Sequence, residues 1–354
     1  MKRVVRIVFL YVNLLAIVLL LATYLVTKIN PGKFWFPSVF GLAFPYLLLT
    51  NVLFIGFWLL VYKRYMFLSL VVVVLGMHTI RTYIQFFPNK TKNEDGIKVL
   101  SYNVYHFYSY FDNSKNDNSI LKFIADQHAN IICLQETKLQ KEGILNPLKL
   151  KSMFPGINHC QLAHQSRWGG PVTFTSYPIV SMGELRFEDT KNMVIFTDLK
   201  INKDTVRVYN CHLQSYRLNA TDYSVIDTLD LETVKMKDLR RIVSKIKWGY
   251  IYRSEQVILL TKHIESCHYP VIVCGDFNDT PISFTYGKIS SLLKDSFVES
   301  GRGVSDTYRG EMPNYRIDYI FHSKHFRAYN YTRFEVDFSD HYPISTLLKT
   351  VEDN

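Results

Sequence analysis

Hydrophobic residues are distributed very unevenly along this chain of 354 residues, and that distribution constrains the fold more than any other feature. The first 87 residues are mostly apolar, whereas the rest of the chain has short apolar runs separated by polar turns. A transmembrane helix needs about 20 mostly apolar residues to cross about 30 Å of hydrocarbon. The sequence therefore predicts membrane-spanning helices at residues 7–27, 40–61 and 65–87, a linker at residues 88–96 and a globular domain at residues 97–350.

Basic residues flank the first two hydrophobic segments at one end. Lys2, Arg3 and Arg6 precede the first segment, and Lys63 and Arg64 follow the second. The positive-inside rule places these residues in the cytoplasm, and three crossings then leave the globular domain on the non-cytoplasmic side. The sequence thus predicts a multi-pass protein of the cell membrane. If the third segment only lies on the membrane surface, the globular domain is cytoplasmic instead.

The formal net charge of +10 is concentrated in the hydrophobic region. Residues 1–96 contain ten Lys or Arg against Glu94 and Asp95, a balance of +8. The remaining 258 residues, with 31 basic and 29 acidic side chains, carry only +2. A nearly neutral domain lacks the basic surface that attracts a nucleic-acid backbone, which disfavours a non-specific nuclease.

From residue 97 onward, strand-like runs alternate with helix-like stretches, which predicts an α/β or α+β domain. The predicted strands cover residues 97–102, 131–134, 172–175, 194–199, 206–211, 271–274, 317–321 and 344–347, and the predicted helices cover residues 119–127, 230–247, 253–266 and 283–293. The five cysteines show no spacing typical of a metal site. Cys133, Cys211 and Cys274 lie in the strand-like runs, so we interpret them as buried small hydrophobic residues.

Polar and ionisable side chains occur just after, or within, the apolar strand runs. These residues are Asn103, Glu136, His212, Asp276, Asn278, Asp318, Asp340 and His341. Because strand ends in a layered α/β protein meet at one rim, we expect these groups to lie close together. Taken singly, the two asparagines and Asp276 also suit ordinary turns or loop caps. Asp318 lies among Ile and Tyr residues, where a carboxylate needs a partner.

Taken together, these eight residues form the inventory that metal-assisted phosphoester hydrolysis requires. A hard cation takes oxygen ligands and keeps bound waters, so carboxylates plus an amide suit it better than thiolates do. The expected cofactor is one or two ions of Mg²⁺ or Mn²⁺.

The pattern resembles the endonuclease/exonuclease/phosphatase superfamily, and the resemblance runs from about residue 98 to residue 348. The motifs that carry it are Ser-Tyr-Asn-Val at 101–104, Leu-Gln-Glu-Thr at 134–137, Cys-His-Leu-Gln at 211–214, Gly-Asp-Phe-Asn-Asp at 275–279, Arg-Ile-Asp-Tyr at 316–319 and Ser-Asp-His-Tyr-Pro at 339–343. Each motif is weak alone, but the ordered set is specific. The resemblance implies a four-layer sandwich of two mixed β-sheets flanked by helices.

The resemblance also implies roles for the metal-binding residues. Glu136 matches the main metal ligand of the superfamily, and Asn103 matches the residue that assists it. Asp340 matches a residue that lies beside the metal.

The other matched residues are implied to act on water or phosphate. Asp276 and Asn278 match residues that position the attacking water or the phosphate, and His212 matches a histidine that contacts the phosphate or protonates the leaving oxygen. Asp318 matches the carboxylate that orients His341. The sequence leaves open whether Asp276 or His341 accepts the proton from water.

The substrate is the least constrained feature. The three predicted spans before such a domain resemble bacterial membrane phosphoesterases linked to glycopeptide resistance, which implies a lipid-linked phosphate or pyrophosphate. We therefore rank a lipid or small-molecule phosphoesterase first, a nuclease acting on DNA or RNA second, and a non-catalytic membrane protein third. The predicted partners are the phosphorylated substrate and the membrane, with no obligate protein partner. Arg253 is a candidate for binding the anionic substrate.

Overall fold

The computed structural model describes residues 3–92, 95–107, 119–163, 169–228, 235–310 and 314–351. Its N-terminal region folds into helices α1 (Arg3–Val26), α2 (Ser38–Val61), α3 (Lys63–Leu75) and α4 (Met77–Ile80). Helices α1 and α2 each have 24 residues and are long and apolar enough to cross a membrane. A rise of 1.5 Å per residue makes each about 36 Å long, which exceeds the hydrocarbon thickness of a bilayer.

The third hydrophobic segment differs from the prediction of one helix over residues 65–87. Helix α3 has only 13 residues, and Gly76 separates it from the single turn of α4. The chain then forms β1 (Ile84–Gln85), which pairs with β11 (Gly303–Val304) of the globular domain. The predicted helix is therefore wrong at its C-terminal end, because Ile84 and Gln85 pair as a strand with the globular domain.

Polar side chains inside the hydrophobic helices pair with one another. Asn13 Nδ2 donates a hydrogen bond to Ser69 Oγ at 2.6 Å, and Ser69 Oγ donates to Asn51 Oδ1 at 3.0 Å. Trp58 Nε1 donates to Asn13 Oδ1 at 2.9 Å, and all four side chains are buried. Because an unpaired amide is costly in apolar surroundings, this network favours one relative alignment of α1, α2 and α3.

The globular domain contains two six-stranded mixed sheets. The first has the strand order β13 (Phe326–Arg333), β14 (Ile344–Thr350), β2 (Ile97–Asn103), β3 (Ile131–Thr137), β5 (Gly170–Thr175) and β4 (His159–Leu162). The second has the order β10 (Lys294–Asp295), β12 (Asp318–His322), β9 (Val271–Asp276), β8 (Asp204–His212), β7 (Met193–Ile201) and β6 (Ile179–Arg186). The central pairs β2–β3 and β8–β9 are parallel, and the other pairs are antiparallel.

Helices cover the outer faces of both sheets. The helices of the domain that the structure describes are α5 (Ser119–Asp126), α6 (Pro147–Met153), α7 (Ala220–Thr228), α8 (Met236–Glu265), α9 (Phe284–Ser290) and α10 (Ser296–Ser300). Helices α5 and α6 share an apolar core with the first sheet, and α8 and α9 share one with the second. A third core, which includes Val99, Cys133, Val208 and Cys274, lies between the sheets. The predicted four-layer sandwich is therefore confirmed.

The eight predicted strands all coincide with or overlap observed strands. Two predicted helices, residues 230–247 and 253–266, instead form the single helix α8 from Met236 onward, while residues 230–234 lie outside the described residues. The helix continues through Gly249, where a Cβ atom would lie 2.7 Å from the Tyr216 ring. Aromatic residues around Gly249 occur on both faces of the helix, since Tyr250 packs inward against Tyr216 whereas Trp248 is exposed, and this obscured the helical period. The three cysteines interpreted as hydrophobic residues are buried and free.

The hydrophobic helices pack directly on the globular domain. Tyr315 Oη donates a hydrogen bond to Leu42 O in α2 at 3.1 Å, and Arg316 Nη2 donates to Thr82 O at 2.7 Å. Ile282 of the domain is buried in an apolar cluster formed with the helices. Helices and domain therefore form one packed unit.

Residues of the predicted linker also contact the domain. Asn89 N donates a hydrogen bond to Glu299 O at 3.2 Å, and Thr91 N donates to Asn330 Oδ1 at 3.0 Å. These contacts hold the described part of the segment against the domain.

Candidate active site

Glu136 lies near the end of β3, where the strand leaves the regular sheet. Its φ of 52° is in the left-handed region, and the pairing of β3 with β5 shifts register around it. Such bulges redirect side chains next to functional sites. Glu136 Oε1 lies 3.3 Å from His212 Nε2 and 3.3 Å from Asn103 Nδ2, and Glu136 Oε2 lies 3.4 Å from His106 Nε2. The carboxylate is therefore surrounded by two imidazoles and an amide.

Asp276 is the last residue of β9 and follows Gly275, whose φ is 134°. Only glycine fits there, because a Cβ atom would lie 2.0 Å from Cys211 O on the neighbouring strand. Three donors fix the Asp276 carboxylate: Asn103 Nδ2 at 3.0 Å, Asn278 N at 2.8 Å and Asn278 Nδ2 at 3.2 Å. The buried carboxylate thus has a defined orientation.

Asp318 and His341 form a buried pair beside Asp276. Asp318 is directly opposite Asp276 in the pairing of β12 with β9. His341 Nδ1 donates a hydrogen bond to Asp318 Oδ2 at 2.9 Å, and His341 Nε2 lies 3.7 Å from Asp276 Oδ2. One ligand atom from each of the three side chains lies within 4.8 Å of the other two. Since Asp318 occupies Nδ1 of the imidazole, we interpret this group as an oriented histidine instead of a metal cage.

Charges in the cleft shift the pKa values of Glu136 and His212 in opposite directions. Burial raises the pKa of Glu136, but the hydrogen bond to His212 and the nearby imidazoles outweigh burial and lower it to about 2. Burial lowers the pKa of His212, but Glu136 and Asp276 outweigh burial and raise it. The two groups therefore stabilise each other as an ion pair.

The same effects act on Asp276 and His341. Burial raises the pKa of Asp276, His341 opposes that rise, and the net value is about 6. Burial lowers the pKa of His341, but the carboxylates of Asp318 and Asp276 outweigh it and raise the pKa well above its ordinary range. For Asp340, burial and the charge of Glu136 raise the pKa.

Two cavities open on either side of Glu136. The first has a volume of about 560 Å³, and its lining includes Glu136, Asp276, Asn278, Asp340 and His341. The second has a volume of about 460 Å³, and its lining includes His106, Glu136, Lys191, His212 and Arg217. Asn103 and Asp318 are buried behind these walls and contact residues that line them. The structure therefore brings together all eight residues that the sequence singled out.

Arg253 does not reach the cleft. Its side chain is fully buried, with Nε 3.2 Å from Asp279 Oδ2 and Nη1 donating to Gln214 O at 2.6 Å. The rings of Tyr216 and Tyr250 lie 4.4 Å and 4.9 Å from the guanidinium carbon. Arg253 thus supports the loop that follows Asp276, and the prediction of a substrate contact does not fit its position.

His106 is a site residue that the sequence analysis missed. It lines the second cavity, and its Nδ1 lies 3.1 Å from Glu136 O in addition to the Nε2 contact with the carboxylate. Tyr105, His106 and Phe107 all have positive φ, which turns this segment back toward the cleft. The available signal was the position of His106 three residues after Asn103 in the first motif.

The donor set of the cleft fits a hard divalent cation. Glu136 and Asp340 offer carboxylate oxygens to the cavity, while Asn103 contacts Glu136 Oε1 through Nδ2 and its amide oxygen accepts from Tyr105 N. The low pKa of Glu136 keeps that ligand ionised. No cysteine occurs among the lining residues that the structure describes, so the chemistry matches Mg²⁺ or Mn²⁺ better than a thiophilic metal.

The fold and the cleft define a four-layer α/β protein whose strand ends carry groups suited to phosphoester hydrolysis. The family model described as Endonuclease/Exonuclease/phosphatase family matches residues 100–341. The chain therefore belongs to this family, whose members are hydrolases that include phosphatases and nucleases and generally depend on divalent metals. A domain of unknown function, DUF8431, matches residues 6–83, so the resemblance to glycopeptide-resistance phosphoesterases stays a prediction. Curated protein sequences show no match to the chain.

Several solved structures share the fold. The catalytic domain of human Nocturnin with a bound sulfate anion has a TM-score of 0.52 and 17% identity, covering 77% of this chain and 98% of that one. The 3′ phosphatase NExo from Neisseria bound to a product DNA hairpin has a TM-score of 0.51 and 16% identity, covering 72% and 99%. A mannosyl-6-phosphatase from Bacteroides thetaiotaomicron has a TM-score of 0.50 and 16% identity, also covering 72% and 99%. At these identities the likeness establishes the fold alone.

Proposed function

We propose that this chain is a membrane-anchored, divalent-metal-dependent phosphoesterase that hydrolyses a phosphoester or pyrophosphate of a lipid or small molecule. The observation that carries the proposal is the convergence of carboxylate, amide and imidazole groups from six parts of the chain around one cleft. Glu136, Asn103 and Asp340 would hold the Mg²⁺ or Mn²⁺ ion. When bound, the cation neutralises phosphate charge and polarises the phosphorus–oxygen bond.

The residues of the cleft divide the proton transfers between them. Asp276 accepts a proton from the attacking water as the water oxygen bonds to phosphorus in line with the leaving group. Protonated His341 donates a hydrogen bond from Nε2 to a phosphate oxygen. Asp318, 2.9 Å from Nδ1, orients the ring and favours its charged form. His212 gives its proton to the leaving oxygen as the phosphorus–oxygen bond breaks. Asn278 fixes the carboxylate of Asp276 through two hydrogen bonds.

The surface of helices α1 and α2 supports membrane anchoring. Leu15 and Leu25 in α1 are 59% and 61% exposed, and Leu53 and Leu60 in α2 are 64% and 88% exposed. A continuous apolar surface of this kind is unfavourable in water and matches the hydrocarbon core of a bilayer. We therefore place both helices across the membrane.

The ends of the helices support the orientation. The globular domain packs on the start of α2, through Leu42, and on the segment after α4, through Thr82. The basic residues Arg6 and Lys63 lie at the opposite end, where Arg6 also stacks on the ring of Tyr62 at 4.9 Å. The positive-inside rule then puts the catalytic domain on the non-cytoplasmic side, with α3 and α4 returning the chain across or into the membrane.

A lipid or small-molecule substrate agrees better with the charge of the domain than nucleic acid does. The chain beyond residue 96 carries only +2, and nucleic-acid binding depends on neutralising many phosphates. A membrane anchor also confines the cleft to a layer of lipid head groups, which raises their effective concentration. Hydrolysis of DNA or RNA is the alternative, and a non-catalytic membrane protein is the distant third.

The test uses the purified full chain in nanodiscs with Mg²⁺, assayed against a prenyl pyrophosphate, sphingomyelin and plasmid DNA. We expect hydrolysis of a lipid substrate that EDTA abolishes and Mg²⁺ restores. Glu136→Ala and His341→Ala should each lower turnover at least about a hundredfold, whereas Glu188→Ala, an exposed glutamate, should not. Cleavage of DNA alone would overturn the substrate class, and inactivity on every substrate would favour the non-catalytic alternative.

A further inference from the structure

One wall of the first cavity is formed by a hydrophobic helix. Leu42, in the second turn of α2, lines the cavity together with the catalytic residues Asp276 and His341. The helix is seated tightly against the loop that follows Asp276, since a Cβ atom on Gly41 would lie 2.1 Å from Ile282 O. A helix that is apolar enough to span a membrane therefore forms part of the active-site surface.

Apolar and aromatic side chains connect the catalytic groups to that helix. The Tyr308 ring packs edge-on against the His341 ring with centroids 5.3 Å apart. Tyr315, which is hydrogen-bonded to Leu42 O, also lines the cavity, and Leu218 does so as well. A volume of about 560 Å³ is in the range that binds ligands much larger than phosphate. The wall of the cavity therefore extends from Asp276 and His341 to α2.

The cavity on the other side of Glu136 has a different character. His106, Lys191 and His212 line it, Arg217 lines both cavities, and no residue of the hydrophobic helices is among the described lining residues of the second. Among the described residues, only the first cavity therefore adjoins α2.

We propose that the apolar wall binds the hydrocarbon part of the substrate, which makes the substrate a phosphorylated membrane lipid taken up from the bilayer along α2. The phosphate lies at Glu136, Asp276 and His341, and the hydrocarbon lies against Leu42, Leu218 and the tyrosines. This inference rests on the proposed function and adds the source of the substrate and the side of the cleft from which it enters.

The test measures binding of methyl-, butyl- and hexylphosphonate to the full chain in nanodiscs with Mg²⁺, with empty nanodiscs as the blank. Each methylene that packs on the wall should tighten binding about fourfold. Leu42→Asn should flatten this dependence on chain length while leaving the affinity for methylphosphonate unchanged. Leu49→Asn, an exposed residue further along α2, is the matched control and should keep the dependence.

Leu218→Asn gives a second variant at a residue outside the hydrophobic helices, and it should weaken hexylphosphonate binding in the same way. Equal affinities for the three phosphonates in the unsubstituted protein, or full chain-length dependence in both Leu42→Asn and Leu218→Asn, would overturn the inference while leaving the phosphoesterase intact. Failure of methylphosphonate itself to bind in the presence of Mg²⁺ would instead overturn the proposed function, and the inference with it.

Discussion

Replacing Asp318 by asparagine isolates the contribution of one charge to the cleft. The substitution keeps the size and planarity of the side chain but removes the carboxylate that accepts from His341 Nδ1 at 2.9 Å. Both side chains are buried, and a hydrogen bond between charged groups contributes roughly 1.5–3 kcal/mol. If Asp318 stabilises the protonated His341 by this amount in the transition state, its removal should lower kcat/KM by about 10- to 150-fold.

The assay measures kcat/KM for a soluble p-nitrophenyl phosphate ester as a function of pH in the unsubstituted protein and in Asp318→Asn. Asp318 raises the pKa of His341, so its removal should lower that pKa and move the alkaline limb of the profile to lower pH. Asp204→Asn, an exposed aspartate at the start of β8, controls for a generic loss of charge. A folded Asp318→Asn protein with activity within about threefold of the original and an unmoved alkaline limb would refute the role given to His341.

Three further predictions concern stability. Burial raises the pKa of Glu299, but contacts that include His322 outweigh burial and lower the pKa to about 2 from an ordinary 4.5. The ionised Glu299 therefore stabilises the folded state above pH 4.5, and this contribution is lost as the pH falls toward 2. The melting temperature of Glu299→Gln should therefore lie below that of the original at neutral pH and approach it in acid. Asn13→Leu removes the donor to Ser69 Oγ and the acceptor of Trp58 Nε1, and it should cost about 1–2 kcal/mol in unfolding measured in detergent. An unchanged stability would contradict the network. Arg253→Met leaves the buried carboxylate of Asp279 without its cationic partner and should lower the free energy of unfolding by about 3–5 kcal/mol, with little change in KM for a soluble ester. A large rise in KM would instead indicate that Arg253 contacts the substrate.

The sequence predicted the interior of both sheets well and their edges poorly. All eight predicted strands are observed, but the four terminal strands of the two six-stranded sheets, β4, β6, β10 and β13, were not predicted, and neither was the short pair β1–β11. A terminal strand buries less of its surface, as in β6, where none of the residues is fully buried. Such strands lack the strong apolar pattern on which the prediction depends.

The candidate site was predictable where chemistry and strand position coincide. Asp318 and Asp276 follow or interrupt apolar runs, and their direct pairing across β12 and β9 brings them together. Arg253 was misjudged because a buried cation and a substrate-binding cation look alike in sequence, and only the packing of Asp279 against it separates them. His106 was missed because its contribution depends on a left-handed backbone turn that residue type does not reveal.

Separate family models match residues 6–83 and residues 100–341, but these two regions are not independent in the structure. A fragment of residues 88–354 retains every catalytic group, yet it loses the acceptor at Thr82 for Arg316, whose Nε and Nη1 have no hydrogen-bond partner among the described residues. It also exposes Ile282, which packs among the hydrophobic helices. An unsatisfied buried donor costs about 1–3 kcal/mol and an exposed isoleucine a similar amount. The fragment should therefore unfold at a lower temperature than the full chain and bind hexylphosphonate no better than methylphosphonate. Equal unfolding temperatures and an undiminished preference for the longer chain would show that the helices only anchor the domain, whereas the expected losses would mean that they complete its active site.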